Sequence, residues 1–302
     1  MAHIRTKAEL DKLPLTPAEV KLIEACQKGE FCKLGDGSLP AKGTPDPKRH
    51  IRANVLRYLI LGGCDDCRTD DIGVWVEGAH VTETLDLNFT TTRGAIRMPN
   101  SRFKQQFDCE QTKCRLLNLD GSDLQGMRAP SLDVTGNVFL AGITTHATIR
   151  LDSATIGGQL DYSDAKFEIT KGNALNAQGA KVTAGVVLNN ITTHATIDIN
   201  SATIGGQLDC SDAKFEMTEG DALNAQGAKV IEGVVLKNIT THAKIDIGGA
   251  TIGGQLDCSD AKFEMTEGDA LNAQGAKVIE GVVLKNITTH AKIDIGGATI
   301  GG

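Results

Sequence analysis

The chain has 302 residues, 31 Lys and Arg against 38 Asp and Glu for a formal charge of −7, and 4% aromatic residues beside 34 glycines. That acidic balance argues against nonspecific attachment to nucleic acid or to an anionic lipid surface, both of which need clustered basic side chains. No apolar run approaches the roughly 18 residues of a membrane span, and the opening Met-Ala-His-Ile-Arg-Thr-Lys-Ala-Glu is not a secretory leader, so the chain is expected to be cytoplasmic, with its eight cysteines as free thiols.

In chain order, Thr16-Pro17-Ala18-Glu19 carries a capping Thr, Pro at the first helical position and Glu three residues after the cap, with Gly29 beyond. This predicts a helix over 17–28. Residues 33–47, rich in Gly and Pro, read as a loop. Asp46-Pro47 then caps a second helix running to about Ile60, with Ile51, Val55, Leu56 and Leu59 on its buried face. Lys48, Arg49, His50, Arg52 and Arg57 would give that helix a basic side. From Val74 the pattern alternates, as in Val74-Trp75-Val76 and Thr84-Leu85-Asp86-Leu87, and strands are expected.

Residues 202–249 and 250–297 are letter-for-letter identical, and a diverged copy begins at Ala154. A unit that must pack on a copy of itself makes a solenoid. Each unit holds four lysines (214, 229, 237, 244) against seven acids (209, 212, 216, 219, 221, 232, 246), so most of the net charge resides in the repeats. The unit splits into two related coils with a 22-residue step, four residues being inserted on alternate coils around Glu264 to Glu267. The same template fits Ala79, Val81, Leu85 and Leu87, then Ser101, Phe103, Phe107 and Cys109, and shortens around Leu117 to Met127.

Placing Leu223, Ala225, Ala228, Val230, Val234 and Leu236 inward, followed by Ile245, Ile247, Ala250, Ile252, Leu256 and Cys258, sends every charge outward. The expected fold is therefore a right-handed parallel β-helix of about 22–26 residues per coil. Residues 1–72 would form a small α-helical cap and residues 73–302 the repeats. Because Ala298-Thr-Ile-Gly-Gly302 opens a further coil, the natural chain is expected to continue, and an open strand edge offers end-to-end self-association as an alternative.

Few residues are singled out for chemistry. Cys64-Asp-Asp-Cys67 with Cys26 and Cys32 would supply four thiolates to zinc, or a redox pair, against the plainer expectation of free thiols. Cys210 and Cys258 take the place of Tyr162 in the earlier copy and read as core fillers. His146, His194, His242 and His290 recur once per repeat unit in Thr-Thr-His-Ala and read as a surface or corner column. Asp209, Asp212, Glu216, Glu219 and Asp221, repeated at 257, 260, 264, 267 and 269, read as a solvated acidic corner without a calcium signature. Gly157-Gly158, Gly205-Gly206 and Gly253-Gly254 read as tight-turn glycines, with no helix and Lys after them to make a phosphate loop.

The motifs Ala-Thr-Ile-Gly-Gly-Gln-Leu-Asp-Cys-Ser-Asp-Ala-Lys-Phe and Asp-Ala-Leu-Asn-Ala-Gln-Gly-Ala-Lys-Val, with Leu15-Thr-Pro-Ala-Glu and Ile51-Arg-Ala-Asn-Val-Leu-Arg, resemble a bacterial family of uncharacterised β-helix repeat proteins often labelled membrane-associated oxidoreductase. The resemblance implies architecture over nearly the whole chain and, in longer relatives, a C-terminal apolar anchor. It carries no catalytic residue onto this sequence, and no dinucleotide-binding Gly-x-Gly-x-x-Gly follows a strand. The sequence therefore leads to a noncatalytic scaffold presenting a repeated surface to a protein partner, with no cofactor and no nucleic acid. Membrane association is expected only of a longer form. The alternative is a zinc or redox protein built on the N-terminal cysteines.

Overall fold

The computed structural model describes residues 3–64, 67 and 72–301. Among these, the strands form four parallel sheets of 11, 11, 10 and 9 members, each strand only two to four residues long. One coil visits the sheets in turn. Leu160–Asp161 lies on side 1, Lys166–Phe167 on side 2, Asn173–Asn176 on side 3 and Lys181–Val182 on side 4, before Val186–Val187 returns to side 1 beside Leu160. The parallel β-helix expected from the repeats is thus a four-sided solenoid.

Register follows the sequence period. On side 1, Val138 pairs with Leu160, Leu160 with Val186, Val186 with Leu208, Leu208 with Val234 and Val234 with Leu256, so that short and long steps alternate along the axis. Earlier steps contract further, as in the pairs of Phe107 with Met127 and Lys113 with Asp133, yet the ladder holds. The shortened stretch takes residues from the coil and none from the pairing. The extra residues of the long coils leave the corner between sides 2 and 3, where Met217 turns back into the core while Glu216, Thr218 and Glu219 face solvent.

All twelve residues assigned inward, from Leu223 to Cys258, are buried. Side 2 adds an alternation along the axis, with Phe167, Thr193, Phe215, Thr241 and Phe263 stacked inward. The buried threonines are tolerated because each hydroxyl is satisfied locally: Thr193 Oγ1 donates to Ala195 O at 2.7 Å and Thr241 Oγ1 to Ala243 O at 2.6 Å. The corners after sides 1 and 3 run through left-handed backbone, and the column after side 1 is filled by Asp164, Asn190, Asp212, Asn238, Asp260 and Asn286, residues that tolerate positive φ.

The cap contains α1 (Lys7–Leu10), α2 (Pro17–Lys28) and α3 (Ala53–Ile60). The span of α2 is the expected one, with its Thr16–Glu19 capping box formed and Gly29 left-handed at φ 68. The second expected helix is corrected. It starts at Ala53, because His50–Ile51 is drawn out as a strand against His80–Val81. Likewise the expected loop from 33 begins as a strand, Cys32–Lys33 pairing with Val76–Glu77. The cap thereby supplies the first strand of two sides, and buried Leu22, Leu34, Leu56 and Leu59 close the apolar axis. No helix among the described residues is long and apolar enough to cross a membrane.

Candidate functional site

The cysteines do not converge. Cys64 and Cys67 are joined to each other in a disulfide, with Cα atoms 5.2 Å apart and the Cys67 N–H donating to Cys64 O. The free-thiol expectation is corrected for this pair, whose three-residue spacing lets a single turn bring the sulfurs together. Cys26 and Cys32 are buried free thiols, pushed up by burial to about 12 and about 11, and so stay protonated near neutrality. Of the four thiolates weighed for zinc, two are bonded to each other, and among the described residues no group of three or more His, Cys, Asp or Glu is arranged to hold a metal. Cys210 and Cys258 are fully buried, and desolvation raises both thiols, Cys258 to about 12.

The histidine column lies after side 2, and three of its four rings sit beside a glutamate of the following coil. His146 Nδ1 is 2.8 Å from Glu168, His194 Nδ1 3.6 Å from Glu216, and His242 Nε2 3.5 Å from Glu264. The acids expected at one corner spread around half a coil instead. Asp209 accepts from Ser211, Asp212 from Asn238, and Asp221 pairs with Lys244 at 3.1 Å. Most are thus engaged in turns and coil-to-coil bonds.

A carboxylate ladder on side 3 was not foreseen from the sequence. Asp246 accepts from Gly248 N at 2.9 Å, Gln226 Nε2 at 2.7 Å, Lys244 Nζ at 2.7 Å and Asn272 Nδ2 at 3.0 Å. Burial works to raise its pKa, and these donors outweigh burial and hold it below the ordinary carboxylate value. Asp198 and Asp294 accept likewise from Gln178 and Gln274. Its signal was the Asn-Ala-Gln-Gly run of the long coils, which places a Gln amide over an Asp of the next coil.

Two concave surface features bear on binding. The first is a groove along the corner between sides 4 and 1, present twice with volumes of about 390 and 370 Å³. Its walls are Gln207, Glu232, Gln255 and Asp257 in one copy and Gln159, Gln207, Asp209 and Glu232 in the other. Its floor is backbone at Gly205-Gly206 and Gly253-Gly254, where a Cβ on Gly205 or Gly253 would lie 2.0 Å from the carbonyl oxygen of Thr183 or Ile231 one coil back. These glycines are not at positive φ. They lie at a turn, as expected, and what excludes a side chain there is the close approach of two coils.

The second is a cavity of about 470 Å³ where the loop bearing Lys42 and Gly43 overhangs side 2, lined also by Arg102, Lys104, Gln105, Asp123, Gln125 and His146. Arg102 Nη1 lies 2.6 Å from Asp123, its Nε donates to Pro40 O at 2.8 Å, and His146 Nε2 is 3.4 Å from the same Asp123 oxygen. Arg102 and Asp123 carry no sequence signal, because nothing local distinguishes them from the outward polar residues of any strand. Comparison with protein-family models, with curated proteins and with solved structures finds no match to this chain.

Proposed function

We propose that the protein is a noncatalytic scaffold whose long sides hold an extended protein partner through weak contacts repeated from unit to unit. The observation that carries this is the corner groove: its two copies are lined by the same positions displaced by one repeat unit, Gln159 and Gln207, Glu232 and Glu280, Gly205 and Gly253. Two coil steps of about 4.8 Å separate the copies by roughly 9.6 Å, so one partner can engage both, and the second contact forms at high effective concentration. In this reading residues 1–72 close the first coil and residues 73–302 carry the contacts. Membership of the bacterial repeat family whose motifs the chain resembles belongs to the same proposal, as a relation of architecture.

The test is crosslinking of the intact protein in its own cells, followed by affinity measurements with a variant lacking residues 202–249. Repeated display expects affinity to weaken stepwise with each unit removed. A partner that binds the shortened protein equally well, and is lost on substitution in the cap, would contradict it. The Cys64–Cys67 disulfide favours a redox reading as the alternative. Both cysteines are buried, so the scaffold reading expects the bond to resist dithiol until the protein unfolds. Ready reduction in the folded state would favour the alternative.

A further inference from the structure

The outward column of side 2 changes character along the axis. From Lys166 onward it alternates lysine and threonine, through Thr192, Lys214, Thr240 and Lys262, with the lysines exposed. In the first coils the same column reads His80, Arg102 and Asp123, and these are only 1%, 8% and 5% exposed. The overhanging loop buries them through the bond from Arg102 to Pro40 O. Placing a charged pair under a loop carries a desolvation cost that a plain solenoid face avoids, and the later coils do avoid it.

The cavity beside this pair has a surplus of positive charge. Lys42 and Lys104 line it, Arg102 forms its wall, and Asp123 is the one carboxylate among the lining residues. Neither lysine is ion-paired among the described residues. In a chain of net charge −7 this is a local reversal of sign. His80 is packed beside Arg102 on the same column: burial first, then the charges of Lys104, Arg102 and His50, push it down to about 4 against the opposing pull of Asp123, and its Nε2 has no hydrogen-bond partner among the described residues.

We propose that this cavity binds a small phosphate monoester, with the ammonium groups of Lys42 and Lys104 as the contacts to the phosphate and the Gln105 and Gln125 amides beside them. Phosphate is favoured over carboxylate because the planar fork of Arg102 is already held by Asp123 and Pro40, which leaves ammonium point charges suited to a tetrahedral dianion and no free guanidinium edge for bidentate carboxylate recognition. The volume, about 470 Å³, exceeds what inorganic phosphate alone fills and leaves room for an organic part.

The experiment is calorimetric titration of the full chain, at low ionic strength, with inorganic phosphate, glycerol 3-phosphate and acetate. Saturable binding is expected for both phosphates, tighter for the ester, and absent for acetate. The double variant Lys42→Gln/Lys104→Gln should weaken Kd by at least about tenfold, since each lysine contributes a charge-assisted contact. Lys166→Gln/Lys214→Gln, which removes two exposed ladder lysines, should leave it unchanged. All four positions are exposed, and circular dichroism verifies the fold. No saturable binding of either phosphate, or equal losses in both double variants, overturns the site. Binding of free phosphate as tight as the ester, or saturable binding of acetate, overturns the ligand class.

Discussion

At position 162 a phenol fills the place that cysteines take at 210 and 258, and its hydroxyl is enclosed without a hydrogen-bond partner among the described residues. An enclosed, unsatisfied polar group costs about 1–3 kcal/mol, so Tyr162→Phe should stabilise the fold by about 1 kcal/mol, read as a higher urea midpoint at unchanged slope. A lower midpoint would mean that the hydroxyl has a partner after all. The paired glycines give the opposite case. Gly253→Ala puts a methyl group against the Ile231 carbonyl, and overpacking of this kind costs about 1–3 kcal/mol. Gly206 and Gly254 carry the same demand less sharply. The sequence placed these glycines at turns, where they are, and gave no sign that a neighbouring coil crowds them. A contact between neighbouring coils has no local trace, whereas the left-handed corner after side 1 does, in the Asp, Asn and Gly that fill it.

The elements of the cap show where local signals compete with long-range pairing. Pro17–Lys28 was readable to the residue because its capping box lies within the helix itself. His50–Ile51 was not, because its strand is created by the distant His80–Val81. The link between the two helices is Glu19, fully buried, which takes Arg52 N at 2.9 Å and Arg52 Nε at 2.7 Å besides capping Thr16. Burial raises the Glu19 pKa, and the bonds from Arg52 and Thr16 more than reverse that, leaving it below its ordinary value of 4.5. A folded-state pKa below the unfolded one contributes stability that is present above the ordinary value and is lost as acid carries the pH down through the folded value. Arg52→Ala leaves the carboxylate buried without its ion pair and should cost about 3–5 kcal/mol at neutral pH. Thermal melts of both proteins from pH 7 downward check this. The gap between them should begin to narrow above pH 4.5, where Glu19 of the variant, held up by burial once Arg52 is gone, takes up its proton, and should narrow further below 4.5 as the wild type loses its ion pair. A gap that stays constant with pH would assign the loss to packing of the arginine stem.

For the whole molecule, duplication supplied the fold: the coil steps, the inward set and the long and short alternation all followed from two identical stretches and their internal symmetry. The overhanging loop and the ion pair beneath it did not, since each depends on which coil lies next to which residue of the cap. The two coils of a unit are nevertheless unequal inside as well as outside, and this sets the size of the smallest removable piece. Deleting residues 202–249 joins Ser201 to Ala250, the same junction that Ser201 makes with Ala202, and sets Leu256 against Val186 as Leu208 is now. The shortened protein should keep its strand content per residue and unfold in one transition with a smaller urea slope, because a solenoid loses one set of neighbour contacts per unit removed. Deleting only residues 234–255 keeps a long step from Leu208 to Leu256 but removes Thr241 from between Phe215 and Phe263. Two inward phenylalanines would then face each other across one coil step of about 4.8 Å, and the resulting overpacking should cost about 1–3 kcal/mol beyond the loss of the coil. The shorter deletion, although it removes less, should therefore give the lower urea midpoint. The reverse order would show that the single coil, and not the duplicated pair of coils, is the unit of stability.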